Sequence, residues 1–170
     1  MDEPETASQD APASAEPLAN GADTSPVAGV LTQYVKDFSF ENPNAPVIYQ
    51  SQTPPSVDVQ FNIQSAKIGD DVYEVVLKID VRAEIDGQVA FVVDLSYAGL
   101  FGLRNVPEDQ LAPFLLAEAP RILFPFARRV LADAVRDGNF PPLMLEPIDF
   151  GGLYLQQAQE NAIIQEAGTA

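Results

Sequence analysis

Between residues 71 and 97 the chain alternates apolar and polar positions, which predicts a β-hairpin. From residue 73 to 85 the odd positions are apolar or aromatic and most even positions are charged, as in a strand with one buried face. Asp86 and Gly87 form the pair that a type I′ turn favours, and residues 88–97 return as the partner strand. The returning strand is apolar on both faces, so we expect one face to contact helices and the other to contact a second subunit.

The alternation is weaker before this hairpin. Residues 30–41 predict another strand with one polar face, formed by Asp37, Ser39 and Glu41. The residues assigned to its other face are Tyr34, Lys36, Phe38 and Phe40. Residues 41–60 are rich in Asn and Pro and predict a long irregular crossing segment, with short extended pieces at residues 47–49 and 57–63.

After residue 105 a helical spacing of three and four replaces the alternation. An apolar stripe predicts a helix over residues 120–137, bent near Pro125. Its members are Ile122, Leu123, Phe126, Val130, Ala134 and Val135. Gly138 and Asn139 supply the left-handed geometry that ends this helix, and the two prolines that follow prevent it from resuming.

Shorter helical patterns flank this long helix. Residues 107–118 predict a helix with Asn105 and Glu108 as a capping box, joined to the long helix at residues 119–120. Residues 153–165 predict a terminal helix that fades into a frayed end over residues 161–170. Because strands come first and helices last, we expect an α+β domain over residues 30–160, with helices on one side of an antiparallel sheet.

Charge and composition narrow the function of the 170-residue chain. Residues 1–29 are acidic, rich in Ala and Pro and free of basic or aromatic residues, which predicts a disordered tail. The net charge of −16 argues against nucleic-acid binding and favours basic partners. No window is apolar enough to insert into a membrane and the N-terminus is unlike a secretory signal, so we expect a cytoplasmic protein.

The residue types also limit the chemistry. The chain has no Cys and no His, which excludes disulfides, thiolate nucleophiles, Cys-ligated metals and an imidazole base. We therefore expect no catalytic residue, cofactor or metal site. Pairs of carboxylates do occur, at Asp70-Asp71 and Glu108-Asp109, but a strand start and the first turn of a helix explain them. A hydrolase that uses only carboxylates stays as an alternative.

Five blocks of sequence resemble a known family. YVKDFSFENPNAP, DDVYEVV, AGLF, RILFPFAR and NFPPLMLEPIDF occur in the order found in SecB, the bacterial protein-export chaperone family, and the resemblance spans residues 30–159. It implies a four-stranded antiparallel sheet with helices packed on one side, assembled as a dimer of dimers. It also implies an ATP-independent holdase that keeps secretory precursors unfolded in the cytoplasm and delivers them to SecA, the motor of the Sec translocase. A chaperone of a toxin–antitoxin pair is the alternative within the family.

The resemblance also assigns two sets of site residues. The basic, zinc-bearing C-terminal tail of SecA would dock on Asp37, Glu41, Val92 and Asp94, and the zinc belongs to SecA. From parity alone, these carboxylates form either an acidic stripe or simple solvated charges. The family's client groove corresponds to Val47, Ile48, Tyr49, Val57, Val59, Phe61, Phe150, Leu153 and Tyr154. Read alone, the same apolar side chains fit a core equally well. The chain departs from the family in having Asp rather than Glu at 94, no aromatic residue at 50–53, and the acidic tail.

Overall fold

The computed structural model describes residues 24–167, and a four-stranded antiparallel sheet runs through them. The strands are β1 Val27–Glu41, β2 Ser56–Gly69, β3 Val72–Ile85 and β4 Gln88–Arg104. Their order across the sheet is β1-β4-β3-β2, so the predicted hairpin forms the centre. Asp86 and Gly87 both have positive φ, 51° and 78°, which confirms the predicted turn geometry.

The helices follow the sheet in the chain. The helical region from residue 108 to 137 consists of α1 Glu108–Pro113, a π-helical turn Phe114–Glu118 and α2 Ala119–Asp137, and α3 is Phe150–Ala167. Because β1 ends at Glu41 and β2 begins at Ser56, the crossing segment consists of residues 42–55. It contains a single 3₁₀ turn, Val47–Gln50. The predicted α+β architecture is confirmed.

The core lies between one face of the sheet and the helices. The odd-numbered side chains of β3 and β4 are buried there, and Leu77, Ile79 and Leu95 are 0–1% exposed. They belong to one apolar cluster with Leu123 and Leu131 of α2. At roughly 1.5–3 kcal/mol for each fully buried aliphatic side chain, this contact decides which face of the sheet the helices cover. The even-numbered face carries no helix among the described residues.

Two local predictions about helix starts are wrong. Residues 119–120 are not a joint, because Glu118 and Ala119 both have right-handed helical geometry and the π turn leads directly into α2. Pro120 lies in the first turn of α2, where a missing N–H is tolerated. Asn105 has φ 56° and its Nδ2 donates to the Ser25 carbonyl oxygen at 3.3 Å, so it forms no capping box.

The helix stop needs a different explanation for each of its two residues. Asn139 has the expected left-handed geometry, with φ 65°, but Gly138 has φ −75°. Gly138 is required for space instead, because a Cβ atom at this position would overlap the ring of Phe40 on β1. The missing side chain thus lets the end of α2 approach β1.

Two strand predictions also change. Residues 47–49 form the 3₁₀ turn rather than an extended piece, because Pro46 sets a helical start and Ile48 is buried. A register shift between Val35 and Asp37 breaks the predicted parity of β1, so Tyr34 lies opposite Ala98 on the helix-free face. Phe38 and Phe40 lie opposite Leu95 and Val93, so they share the helical side of the sheet as predicted, but Phe38 is 41% exposed and not buried.

The first strand and the last helix both extend further toward the termini than predicted. β1 begins at Val27, so residues 27–29 belong to the sheet rather than to the tail. α3 continues to Ala167, through much of the segment that was predicted to fray. Residues 1–23 and 168–170 of these two predictions lie outside the described residues.

Gly138→Ala tests the close approach of α2 to β1. We expect the substitution to lower the free energy of unfolding by about 1–3 kcal/mol, because either the Phe40 ring or the end of α2 must move. Chemical denaturation measures the change. Gly29→Ala is the control, since no atom lies within 4 Å of the added Cβ there. Equal stability of the two variants would contradict the steric explanation.

Candidate functional site

The pairing of β1 with β4 brings four predicted residues together on the helix-free face. Glu41 lies directly opposite Val92, and Asp94 lies opposite Ser39, two residues further along β4. Asp37 lies opposite Ser96, the next position on the same face. Directly opposed residues of antiparallel strands point to the same side of the sheet. The three carboxylates and half-buried Val92 therefore share one solvent-facing surface.

A fourth carboxylate joins this surface from β3. Asp80 lies directly opposite Asp94, and we call Asp37, Glu41, Asp80 and Asp94 the acidic face. Partial desolvation by its neighbours raises the pKa of the Asp80 carboxyl, and the hydrogen bond with Asp94 and the repulsion between the two charges raise it further. Nearby Lys78 acts in the opposite direction. Asp80 lies at one of the charged even positions of β3, but only the register of β3 against β4 reveals its partner.

Two basic groups on the same side of the sheet are paired with carboxylates outside the acidic face. The Lys36 ammonium forms an ion pair with Glu74 Oε1, and the Tyr34 hydroxyl donates to Glu74 Oε2 at 3.0 Å. The hydrogen bond from Lys36 is the main reason that the pKa of Glu74 is lowered. Arg82 Nε lies 3.0 Å from Glu84 Oε1. These two ion pairs engage Lys36 and Arg82 outside the acidic face, whereas Lys78 remains beside Asp80 and partly offsets the rise in its pKa.

On the opposite side of the sheet, a groove lies between the edge strand β2 and the last helix, α3. This β2–α3 groove has a volume of about 590 Å³. Its apolar lining consists of Phe61, Ile63, Leu116, Phe150, Leu153 and Tyr154, and its polar lining of Asn62, Gln156, Gln157 and Asn161. The ring of Phe124 on α2 supports it, with centroids 6.4 Å from Phe61 and 5.9 Å from Phe150. Four predicted groove residues, Phe61, Phe150, Leu153 and Tyr154, meet here.

A second, smaller cavity lies under the crossing segment. This crossing pocket has a volume of about 310 Å³, and its apolar lining consists of Ile48, Tyr49, Pro54, Pro55, Ile85, Phe140 and Pro141. Ile48 and Tyr49 were predicted from the sequence. Phe140 was missed because it follows α2, almost a hundred residues away along the chain.

Three other predicted groove residues line neither cavity. Val47 and Val57 are exposed, 62% and 39%, whereas Val59 is partly buried and packs against the core. Ile85, Leu116 and Ile63 were missed. Ile85 and Ile63 carried only the signal of an apolar position on a strand, which does not distinguish a cavity wall from a core position.

Two further kinds of site are absent from residues 24–167. No helix among residues 24–167 is both long enough and apolar enough to span a bilayer. Within the same residues, Asp and Glu side chains do not gather in groups of three that could hold a metal ion.

Asp80→Asn tests the paired carboxylates through the dependence of stability on pH. Because folding raises the pKa of Asp80, its ionised form costs stability above the folded pKa, and the cost disappears as the pH falls below the unfolded value. After allowance for solvent screening, we expect Asp80→Asn to raise the free energy of unfolding by about 0.5 kcal/mol at pH 7 and to have no effect near pH 3.

Denaturation at several pH values measures this difference. Asp58→Asn is the matched control, because Asp58 lies on the same face opposite Arg82 and its removal relieves no repulsion between carboxylates. A gain from Asp80→Asn that stayed constant with pH, or an equal gain from Asp58→Asn, would contradict the electrostatic explanation.

Comparisons with known proteins place this architecture in a family. The sequence profile described as preprotein translocase subunit SecB matches residues 21–161. The protein-export protein SecB of Sphingopyxis alaskensis is 68% identical over 140 residues, which cover 82% of this chain and 81% of that protein. The protein of the same name from Rhizorhabdus wittichii is 61% identical over 156 residues, with coverage of 92% and 94%.

A solved structure agrees in fold. The SecB-like chaperone of Mycobacterium tuberculosis, determined in complex with a peptide from an antitoxin, superimposes with a TM-score of 0.60. It covers 71% of this chain and 90% of its own, at 19% sequence identity. On the extent of the profile match and the identity to these relatives, the chain belongs to the SecB family.

Proposed function

We propose that this protein is an ATP-independent export chaperone that holds secretory precursors unfolded in the cytoplasm and delivers them to SecA. The observation that carries the proposal is the separation of two unlike surfaces by a single sheet. An acidic face lies on the helix-free side, and apolar cavities lie on the helical side and at the β2 edge. One surface can therefore hold a client while the other contacts the motor.

The β2–α3 groove and the crossing pocket suit an unfolded client. Aliphatic and aromatic side chains form part of each lining, and burial of apolar surface against them contributes roughly 25 cal/mol per Å² whatever the client's sequence. β2 pairs only with β3 among the described strands, so its outer edge offers backbone N–H and C=O groups to an extended chain. These contacts favour unfolded over folded clients, because a folded protein has buried the same groups. Binding the unfolded state holds back folding without ATP.

The acidic face suits a basic tail. Opposed charge accelerates encounter and fixes orientation, and half-buried Val92 offers a small apolar contact in the centre. Asp37, Glu41, Val92 and Asp94 are the residues that we propose for docking of the basic C-terminal tail of SecA. The zinc of that tail would remain with SecA.

The exposed edge of β1 supports assembly into a homotetramer. β1 is a strand of 15 residues that pairs only with β4 among the described strands. Its apolar side chains remain uncovered, with Leu31 60% and Val35 46% exposed. Long apolar edge strands invite pairing with another chain. We propose that β1 takes part in the dimer-of-dimers assembly.

Identity favours the export role over the toxin–antitoxin alternative. The relatives that are named protein-export protein SecB reach 68% identity, whereas the chaperone solved with an antitoxin peptide is 19% identical. That second likeness concerns the fold and does not support the alternative client.

Light scattering after size-exclusion chromatography tests the holdase proposal. We expect a tetramer that forms a complex with an unfolded secretory precursor and leaves the folded precursor in the free fraction. A monomer that binds neither form would contradict the proposal.

Asp94→Lys tests the division of labour between the two surfaces. The substitution places a cation between Ser39 and Asp80, so we expect about tenfold weaker binding of a zinc-loaded SecA tail peptide. Binding of an unfolded precursor should stay within about twofold, since its proposed sites lie elsewhere. Calorimetric titration measures both.

The control for this experiment is Asp58→Lys, the same change of charge on the same face but two strands away from β4. It should weaken tail binding much less. Equal loss of tail and precursor binding in Asp94→Lys would argue against separate surfaces.

A further inference from the structure

One hydrogen-bonded cluster ties the end of β1 to the crossing segment and to the end of α2. Asn42 directly follows β1, and its Nδ2 donates to the Tyr49 hydroxyl oxygen at 2.6 Å. The Tyr49 hydroxyl in turn donates to the Gly138 carbonyl oxygen at 2.8 Å, and Asn42 Nδ2 lies 3.4 Å from the same carbonyl. We call these three residues the Asn42 clip.

The clip holds one wall of the crossing pocket. Tyr49 lines the pocket, and its ring contacts the ring of Phe140 with centroids 5.5 Å apart. Phe140 is anchored on Phe91 of β4, at 4.9 Å. Tyr49 itself is 39% exposed, so the contact with Phe140 holds its ring less firmly than full burial would. The hydrogen bonds of its hydroxyl therefore help to fix the position of the Tyr49 ring in the pocket wall.

The amide of Asn42 has one end paired and one end unpaired. Its Oδ1 is buried and finds no hydrogen-bond partner among the described residues, although a buried unpaired acceptor costs free energy. Exchange of the two ends of the amide would place Nδ2 in the unpaired position instead, and the bond to the Gly138 carbonyl oxygen, which can only accept, would be lost. An apolar residue at 42 would avoid the cost. The amide is thus explained by the position that it gives to Tyr49.

We propose that Asn42 is a positioning residue for client binding. Through the Asn42 clip it keeps Tyr49 against Phe140, and so keeps the crossing pocket open to a large apolar side chain of an extended client. Neither Asn42 nor Gly138 lines the pocket, so the effect passes through the Tyr49 hydroxyl. This inference rests on the proposed function and names two residues that the family resemblance did not assign.

The test uses the full-length protein and two fluorescein-labelled peptides of the same polar sequence, one with Trp and one with Ala at its centre. Fluorescence anisotropy gives both affinities, and their ratio reports how well the pocket accepts a large side chain. We expect Asn42→Ala and Tyr49→Phe each to lower this ratio about 3- to 10-fold, the range for loss of a hydrogen bond. The double variant should lose no more than either single variant, because both changes break the same unit.

Asn44→Ala is the matched control. Asn44 is the same residue type in the same segment, but its Nδ2 donates to the Val89 carbonyl oxygen at 2.9 Å and does not contact Tyr49. Its variant should keep the ratio of the parent protein. An equal fall in Asn44→Ala would overturn the inference, because general loosening of the crossing segment would then explain the loss.

Failure of the inference is distinguishable from failure of the proposed function. A parent protein that binds neither peptide nor a reduced, carboxymethylated protein would overturn both. A parent protein that binds the unfolded protein and prefers Trp, with an unchanged ratio in both variants, would overturn the role of Asn42 alone. If Asn42→Ala does not fold, Tyr49→Phe decides the question, since it keeps the ring and removes only the hydroxyl.

Discussion

The packing of β3 and β4 against α2 is the contact on which the other features depend. It buries the odd-numbered side chains of both strands and leaves the even-numbered ones on a face without helices. Burial of one Leu or Ile contributes roughly 1.5–3 kcal/mol, more than the 0–1 kcal/mol of an exposed ion pair. The charged residues therefore take whichever face the core leaves free, and the acidic face follows from the apolar one.

The second constraint is the register of the outer strand. The irregularity between Val35 and Asp37 shifts the side chains that precede it to the other parity. It thereby brings Tyr34 and Lys36 within reach of Glu74 and leaves Asp37 and Glu41 beside β4. In a strand without this irregularity, Tyr34 and Lys36 would lie on the same face as Phe38 and Phe40. A local irregularity of the backbone thus separates the paired charges on this face from the unpaired ones.

The acidic face and the Asn42 clip are adjacent along the chain at the end of β1. Glu41 belongs to the acidic face, and Asn42, the next residue, belongs to the Asn42 clip. On the other side of the sheet Phe40 stacks with Phe91, at 6.1 Å, and Phe91 contacts Phe140 of the crossing pocket. Gly138 allows this arrangement because it leaves room for the Phe40 ring. Residues from four separate segments are thereby held together at one corner of the molecule.

The sequence alone determined features that depend on neighbours along the chain. The central hairpin, its turn at Asp86 and Gly87, the left-handed Asn139 just after α2 and the α+β order all follow from periodicity and from backbone preferences of single residues. Family resemblance added the candidate residues on both faces. The four predicted docking residues share one face, as the parity of their two strands predicts, and their docking role stays a prediction.

Only the tertiary structure decided features that depend on distant segments. The pairing of Asp80 with Asp94, the π turn that replaces a joint before α2, and the wall that Phe140 adds to the crossing pocket have no signal in local sequence. Asn42 and Gly138 are almost a hundred residues apart, yet they hold the same tyrosine hydroxyl between them. The physical reason is that register and hydrogen-bond partners are set when the core closes, whereas periodicity reports only which face of each element is apolar.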